Sequence, residues 1–369
     1  MNISDKAMKK IIEAEERCIG CKACMKGCPM LIKFCENPKD LLRELKDKKE
    51  YDYSLPYSCM LCGYCSKVCP KNVDLKSIFM RLRKDIVEEN NGKVPKELGT
   101  GGVDIHQKLS FSYLFTSDIE NLQGDTIFFP GCGLISHSPK IVENTYSYLR
   151  TKINGIGIYT KCCGKPTVFL GKDRKFKEYY SILEKEFEDK NIKRIITGCQ
   201  NCFMTIKNNS KDIEVVSLWE VIAKEGVPED RRGIGTTINK KFTIHDPCPT
   251  RDMDIIHSSI RDILNELGFR VEEMKYNRGE TLCCGAGGLV PTTEGHIAKA
   301  HTIRRANEAY TEYIIAYCQE CVESMRRGGK KSYHILDLLF NDDFQNMEQI
   351  NQGLIRKWVN RYNGKKIGK

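Results

Sequence analysis

Several features that would assign this chain to a common class of protein are missing from its sequence. No apolar run approaches the roughly 18 residues needed to cross a bilayer, and residues 1–17 are charged, unlike a secretory signal. Gly285-Ala286-Gly287-Gly288 lacks the Gly-x-Gly-x-x-Gly spacing of a dinucleotide site, and there is no phosphate-binding loop. Zinc-finger and RNA-binding aromatic signatures are also absent. We therefore expect a cytoplasmic protein with no transmembrane segment, no nucleic-acid partner and no flavin or nicotinamide site.

Cysteine, by contrast, is abundant. The 369 residues contain 19 cysteines, an odd number in a chain longer than a secreted disulfide scaffold. In a reducing compartment, clustered cysteines more often bind metal. The formal charge of +10 is consistent with metal binding. Eighteen thiolates around four iron–sulfur cores of about +2 each would add about −10 and cancel it. A nucleic-acid surface is the competing interpretation of the basic excess.

Two copies of one motif stand in residues 1–95. They are Cys18-x-x-Cys21-x-x-Cys24-x-x-x-Cys28-Pro29 and Cys59-x-x-Cys62-x-x-Cys65-x-x-x-Cys69-Pro70. In this arrangement the first three cysteines bind one cubane and the fourth reaches the neighbouring cluster. We therefore expect two [4Fe-4S] cubanes, one bound by Cys18, Cys21, Cys24 and Cys69 and the other by Cys59, Cys62, Cys65 and Cys28. Zinc, the alternative, fits doubled sets of four poorly. Cys35 falls outside the motif and is interpreted as an idle thiol.

The remainder of the chain looks duplicated. A lone cysteine, a Cys-Cys-Gly and a Cys-x-x-Cys occur twice, as Cys132, Cys162, Cys163, Cys199 and Cys202 and as Cys248, Cys283, Cys284, Cys318 and Cys321. Matching cysteines are 116, 121 and 119 residues apart, as expected of one structural unit used twice. Short β-rich runs precede the cysteines and alternate with helical stretches, so each unit should be α/β.

These patterns predict an α+β protein: a mainly helical two-cluster ferredoxin-like domain followed by two duplicated α/β cysteine-rich units. The expected boundaries are 1–95 for the ferredoxin-like domain, 96–124 for a linker, 125–240 for the first repeat and 241–369 for the second. Loops at the carboxyl ends of parallel strands converge, so the thiols of each repeat should meet there. A helix is expected over Leu75–Glu89, where apolar residues recur at helical spacing.

Five thiolates exceed the needs of a zinc ion or a cubane. They could bind an opened, asymmetric cluster with an iron able to accept sulfur from outside, and a structural zinc on four of the five in one repeat is the alternative. Gly164 and Gly285 follow the paired cysteines and allow the turn that would bring both to one centre. Lys165-Pro166 stands where the second repeat has Ala286-Gly287, so the two centres need not be equivalent.

Over nearly its whole length this arrangement resembles the D-type polypeptide of heterodisulfide reductase, which is similar to a fusion of that family's ferredoxin-like and catalytic polypeptides. The resemblance implies a noncubane [4Fe-4S] cluster on the five cysteines of each repeat. It also implies that a small disulfide is cleaved between the two clusters one electron at a time. Similar repeats occur in iron–sulfur components of glycerol-3-phosphate, glycolate and lactate oxidoreductases, where a separate flavin component carries out the chemistry.

The leading prediction is therefore a disulfide reductase-like oxidoreductase, and the alternative is the electron-transfer subunit of a flavin-dependent dehydrogenase. A regulatory or structural metalloprotein with zinc in the repeats is a third class. Cleaving a disulfide takes two protons, and His245 and His137 are weak candidates for their supply. The redox partner would be a ferredoxin, a flavoprotein or a quinone- or cytochrome-linked membrane protein, the last of which would hold the chain at the inner face of the membrane.

Overall fold

The computed structural model describes residues 1–369 and contains nineteen α-helices and eight β-strands. The helices are α1 Asp5–Arg17, α2 Pro29–Phe34, α3 Pro38–Lys48, α4 Ser54–Tyr57, α5 Tyr64–Lys67, α6 Leu75–Glu89, α7 Gly101–Leu109, α8 Cys132–His137, α9 Pro139–Lys152, α10 Lys165–Phe169, α11 Asp173–Asp189, α12 Gln200–Asn209, α13 Leu218–Glu225, α14 Asp254–Glu266, α15 Val290–Thr293, α16 Gly295–Asn307, α17 Gln319–Arg327, α18 Ile335–Phe340 and α19 Leu354–Gly364. The strands are β1 Thr126–Phe129, β2 Gly157–Ile158, β3 Arg194–Thr197, β4 Glu214–Ser217, β5 Phe242–His245, β6 Val271–Glu273, β7 Tyr313–Ala316 and β8 Lys331–His334.

The fold is α+β, as expected. Six helices and no strand lie in residues 1–95, and the expected helix α6 has its predicted bounds. Its first turn is capped by Asp74, whose carboxylate accepts from the backbone N–H of Ser77 at 3.2 Å. The stretch expected to be a linker contains α7, and Phe111 beyond that helix stacks on Tyr179 with ring centroids 4.5 Å apart. Residues 96–124 are therefore packed against the first repeat.

The two repeats have the same sheet topology. The strand order is β2-β1-β3-β4 in the first repeat and β6-β5-β7-β8 in the second, and all neighbouring strands are parallel. Short parallel strands need helical crossovers, and helices pack on the sheets here. The lone cysteine, the Cys-Cys pair and the Cys-x-x-Cys follow β1, β2 and β3, and again β5, β6 and β7. Each set of thiols thus lies at the carboxyl edge of three adjacent strands.

A further similar sequence segment follows the last strand of each sheet. In the first repeat Ser217 and Glu220 form a reciprocal capping box at the start of α13. His334 and Asp337 do the same at the start of α18. Both boxes satisfy backbone N–H groups that a helix start leaves free, so the sequence similarity has a structural cause.

The apolar core shows how the three parts are joined. One cluster of 33 buried residues draws on both repeats, with Phe128 and Trp219 from the first and Phe242 and Tyr333 from the second. A second cluster of 27 fills the ferredoxin-like domain and continues into the second repeat through Cys283, Val290, Ile297 and Ala298, but into the first only through Leu170. The ferredoxin-like domain is therefore packed mainly against the second repeat.

Candidate metal centres

The first ferredoxin-type set of thiols lines a small cavity of about 20 Å³. Its cysteines are Cys18, Cys21, Cys24 and Cys69, with Cys65 at its edge. Cys21 is exposed to solvent, whereas the other three are partly buried. Burial raises the pKa of Cys24 to about 12, and the nearby thiolates of Cys65 and Cys18 raise it further. The Cys24 thiol therefore stays protonated unless a cation compensates the charge of its thiolate.

The second set is assembled in the same crossed manner. Burial raises the pKa of Cys28 well above its usual value, and the neighbouring thiolates of Cys62, Cys59 and Cys65 add to the rise. The structure thus brings Cys28 of the first motif to the second and Cys69 of the second motif to the first, the crossing that the sequence predicts. Cys35 remains apart: its thiol donates to the Leu31 carbonyl at 3.3 Å.

In the first repeat, five thiols converge at the end of the sheet. Cys162 Sγ lies 3.9 Å from Cys132 Sγ, and the Cys163 thiol contacts those of Cys162 and Cys202. Gly131 has a φ of +86°, and a Cβ there would lie 2.7 Å from the Cys199 Cβ. Glycine therefore lets the loop after β1 approach the Cys-x-x-Cys loop closely enough for the thiols to meet.

The second repeat gathers its five thiols in the same way. Cys283 contacts Cys248 and Cys284, and Cys284 contacts Cys321. The N–H of Gly285 donates to Cys283 Sγ at 3.4 Å, and the N–H of Gly164 donates to Cys162 Sγ at the same distance in the first repeat. Gly285 has a φ of +93°, and a Cβ there would lie 2.3 Å from Thr302 Oγ1. The turn expected at the Cys-Cys-Gly sequence is present in both repeats.

The electrostatics of these sets fit an iron–sulfur centre better than free thiols. Hydrogen bonds from Cys162 and Cys202 lower the pKa of Cys163 to about 5. The hydrogen bond with Cys132 lowers the pKa of Cys162, but the thiol of Cys163 and burial together raise it to about 12. One thiolate is thus stabilised by its protonated neighbours. All five can ionise only when a cation replaces those protons, as iron in a cluster would.

A buried arginine beside the first repeat supports the same conclusion. Arg361 of α19 is 1% exposed, and its Nε, Nη1 and Nη2 have no hydrogen-bond partner. The thiol of Cys162 and burial raise the pKa of Cys132, and the Arg361 cation opposes the rise. A buried cation without a partner is costly, so an anionic group near Cys132 is expected. A cluster bound by thiolates carries such a charge.

The second ferredoxin-type set touches the second repeat directly. The thiol of Cys283 lies close enough to that of Cys62 to raise its pKa well above the usual value, and Arg251 Nε donates to the Cys62 carbonyl at 3.3 Å. Gly287 makes the close approach possible, since a Cβ there would lie 2.6 Å from the Met60 carbonyl oxygen. This junction was not foreseen from the sequence, although the glycines after Cys284 are a signal for close backbone approach.

Arg83 of α6 connects all three parts and was also not foreseen. Its side chain is fully buried and donates to four carbonyl oxygens, those of Pro56, Cys59, Phe169 and Gly288, at 2.6–2.9 Å. Two of these acceptors belong to the ferredoxin-like domain and one to each repeat. The guanidinium therefore fixes the second cluster loop against both repeats.

The two histidines named from the sequence have different surroundings. A ring nitrogen of His245 lies within 4.8 Å of the sulfurs of Cys284 and Cys321. Burial and the Arg305 cation lower the pKa of His245 to about 3. His137 pairs instead with Asp337, with Nε2 3.5 Å from Oδ1. A role for either in proton supply stays a prediction, and a neutral His245 is a poor proton donor.

Lys161, which precedes Cys162, is neither exposed nor directed at a thiolate. It is 2% exposed and forms ion pairs with Asp118 and with Glu186, the latter at 3.2 Å. A lysine beside a strand end is more often exposed, but here two carboxylates compensate the buried charge.

Comparisons with known proteins match segments in the ferredoxin-like part of the chain and in both repeats. Residues 17–74 match the 4Fe-4S dicluster domain, and residues 126–207 and 242–326 match the cysteine-rich domain called CCG. An uncharacterized iron–sulfur protein of Methanococcus maripaludis is 27% identical over 369 residues, covering 87% of this chain and 67% of its own.

Two relatives carry functional names. The B component of a fumarate reductase (CoM/CoB) of Methanothermobacter marburgensis is 25% identical over 374 residues, covering 88% of this chain and 72% of its own. An EtfAB:quinone oxidoreductase of Syntrophomonas wolfei is 25% identical over 330 residues, covering 85% of this chain and 43% of its own. No helix of the protein has both the length and the apolar character that crossing a bilayer requires.

Proposed function

Because this chain is an iron–sulfur protein that joins a 4Fe-4S dicluster domain to two CCG cysteine-rich domains, we propose that it reduces a small disulfide with electrons received through its ferredoxin-like domain. The single observation that carries the proposal is the contact of Cys62 with Cys283. It joins the two cubane sites to a complete five-thiol set. Electron relay and a thiol-rich end point are then continuous within one chain.

We infer the order of electron transfer from the solvent exposure of the cysteines. Cys21 of the first set is the one cysteine exposed to solvent, so electrons enter there from a partner protein. Lys22 and Lys71 line the same cavity, which favours an acidic partner surface. The second set, bound by Cys28, Cys59, Cys62 and Cys65, passes them to the second repeat.

Residues next to the two five-thiol sets touch each other across the contact between the repeats. Gln200, next to Cys199, donates to the carbonyl of Tyr317 at 3.3 Å, and Tyr317 precedes Cys318. A Cβ on Gly133, next to Cys132, would lie 3.8 Å from the Gln319 Cβ. A disulfide bound at this contact has a set of thiols on either side. It takes up two electrons and two protons and leaves as two thiols.

Noncubane [4Fe-4S] clusters in the two repeats, as the resemblance to heterodisulfide reductase implies, would supply iron that accepts substrate sulfur and the single electrons for cleavage. The chain's own contribution is to hold five thiolates at each centre, to exclude water by burial, and to fix the junction through Arg83 and Arg251. Zinc in one repeat is the competing occupant.

Anaerobic reconstitution tests the proposal. We expect about sixteen irons per chain for four clusters, and spectra unlike those of ordinary cubanes. A chemically reduced viologen should then drive reduction of members of a disulfide panel. Cys132→Ala and Cys248→Ala should each lower the rate at least tenfold, whereas Cys35→Ala, the matched control, should not change it.

A second candidate function is an electron relay for a flavoprotein dehydrogenase, favoured by the similarity to an EtfAB:quinone oxidoreductase. If the reconstituted protein reduces no disulfide but exchanges electrons with a flavoprotein, this function replaces the first. About eight irons with one or two zincs would contradict both, because neither has a use for zinc in the repeats.

A further inference from the structure

His245 lies at the carboxyl end of β5, between the two other strands that precede cysteines in the second repeat, and it is close to the thiols of that repeat. It is the last residue of β5, three residues before Cys248, and its side chain is fully buried. A ring nitrogen lies within 4.8 Å of the sulfurs of Cys284 and Cys321. The Nε2 atom has no hydrogen-bond partner. A buried polar nitrogen without a partner needs an explanation, and the ring that carries it lies beside two sulfurs.

Arg305 decides which nitrogen of this ring carries the proton. Its Nε donates to His245 Nδ1 at 3.0 Å. Arginine has no acceptor and does not lose its proton in proteins, so Nδ1 must accept. The ring is then neutral, and its one proton is on Nε2. His245 is therefore a hydrogen-bond donor toward the thiols and is not available as a metal ligand through that nitrogen.

The arginine itself is held in place. Its remaining nitrogens donate to the Glu308 carboxylate at 2.7 Å, the Tyr276 carbonyl at 2.9 Å and Thr281 Oγ1 at 3.0 Å. A fully bonded, buried guanidinium cannot turn away from the ring. The tautomer of His245 is thus fixed by the fold, in the way that an outer hydrogen bond fixes histidines around metal sites.

The first repeat lacks this donor. Phe129 is the last residue of β1 and stands three residues before Cys132, the position of His245 in the other repeat. Its ring packs edge-on against Tyr159, with centroids 5.7 Å apart. An aromatic ring fills the same place in both repeats, but at this place only the second carries an N–H group, whereas the side-chain donor to sulfur in the first repeat is Gln107 of α7, 3.6 Å from Cys162 Sγ.

We propose that His245, positioned by Arg305, donates a hydrogen bond from Nε2 to the sulfur of the centre bound by the second repeat, and so raises the reduction potential of this centre. The inference rests on the proposed iron cluster in that repeat. Hydrogen bonds to cluster sulfur stabilise the reduced, more negative state and raise the reduction potential. The centre next to the cubanes is thereby made a better acceptor of their electrons than it would be without His245.

The test is a redox titration of the reconstituted full chain followed by electron paramagnetic resonance. The signal of the second repeat is identified by its loss in Cys248→Ala. His245→Phe, which copies the first repeat, should shift its midpoint potential to a more negative value and leave the iron content unchanged. His245→Gln, which retains an N–H donor, should restore part of the shift. Phe129→Leu, the matched control, should leave this potential unchanged.

Isotope labelling distinguishes a His245 that donates a hydrogen bond to the cluster from a His245 that binds iron directly. With ¹⁵N-histidine, the second-repeat signal should show a weak nitrogen coupling and an exchangeable proton that His245→Phe removes. A strong nitrogen coupling, or iron lost in His245→Phe, would identify a ligand and overturn the inference. An unchanged potential in that variant, or zinc instead of iron in the second repeat, would overturn it as well. A shifted potential without disulfide reduction would keep the inference and refute the proposed function.

Discussion

The two cysteine-rich repeats share one topology and one set of thiols, yet they lie in different surroundings. The second repeat is covered by the ferredoxin-like domain, through the Cys62–Cys283 contact and through Gly287 against Met60. The first repeat is covered by α7 and α19. Gln107 of α7 donates to Cys162 Sγ at 3.6 Å, and Arg361 of α19 lies near Cys132.

The residues next to the cysteines of the two repeats differ in charge as well as in their contacts. At the end of the middle strand the second repeat has His245-Asp246, where the first has Phe129-Pro130. The first repeat has a buried cation, Arg361, which has no hydrogen-bond partner and lies over the Trp358 ring at 5.5 Å from its centroid. Duplication therefore preserved the five thiols and left the electrostatics free to diverge, which is a way to obtain two centres of unequal potential from one unit.

The largest expected effect is on the free energy of unfolding, and it comes from replacing Asp246, the residue that follows β5 in the second repeat. Asp246 is fully buried and accepts from Arg261 Nη1 and Nη2 at 2.8 and 2.9 Å, from Tyr317 Oη at 2.8 Å and from the Arg278 N–H at 2.8 Å. Asp246→Asn removes the buried carboxylate that Arg261 and Tyr317 share, and leaves Arg261 only the more exposed Glu273 as its counter-ion. It should lower the free energy of unfolding by about 3–5 kcal/mol.

Urea unfolding followed by circular dichroism measures this loss. Asp254→Asn is the control, because that carboxylate is 98% exposed on α14, and surface changes of this kind stay within about 0.5 kcal/mol. Equal stability of Asp246→Asn and the parent protein would contradict a structural role for the buried pair and remove one difference between the repeats.

The junction with the cubanes is the next largest difference to test. Gly287 needs no positive φ, so Gly287→Ala tests the close approach alone: the added Cβ would lie 2.6 Å from the Met60 carbonyl oxygen. The backbone must move, at a cost of about 1–3 kcal/mol. Electron transfer from the cubanes to the second repeat should also slow down.

Gly295→Ala is the matched control, because a Cβ at that helical glycine meets nothing within 4 Å. Thermal unfolding of the loaded protein gives the stability, and rapid-mixing spectroscopy with a reduced viologen gives the rate of transfer. An unslowed rate in a destabilised Gly287→Ala protein would indicate that electrons reach the second repeat by another route.

The smallest effect, and the one most specific to the first repeat, concerns Arg361. In the metal-free protein its guanidinium is a buried cation without a partner, so Arg361→Met should raise the free energy of unfolding by about 1 kcal/mol. In the iron-loaded protein the same change removes the counter-charge of the cluster. The loaded form should then be less stable and release iron faster.

Opposite signs in the two forms are the signature of this prediction. Thermal unfolding with and without metal measures the stability of both forms, and the rate of iron release to a chelator measures how firmly the protein retains its iron. Arg356→Met, an exposed arginine on the same helix, should change neither. A loss of stability in both forms would mean that Arg361 acts through packing alone.

Much of this protein follows from its sequence, because cysteine spacing and glycine position act locally. The two ferredoxin-type motifs, the five-thiol repeats, the turn at Gly164 and Gly285, and helix α6 were all predicted. Strands β4, β6 and β8 were not, since each is short and none directly precedes a cysteine. The partners of Lys161 were missed because Asp118 and Glu186 are distant in the chain.

The sequence by itself was enough to predict which thiols belong together, because the repeated motifs are recognisable from local cysteine spacing and their arrangement implies the crossing of Cys28 and Cys69. Only the tertiary structure decided that the second set of the ferredoxin-like domain meets the second repeat. Only the tertiary structure brought Arg305 to His245 and left Arg361 unpaired beside Cys132. These contacts join residues between 60 and 229 positions apart, and burial, which removes water as an alternative partner, gives them their effect.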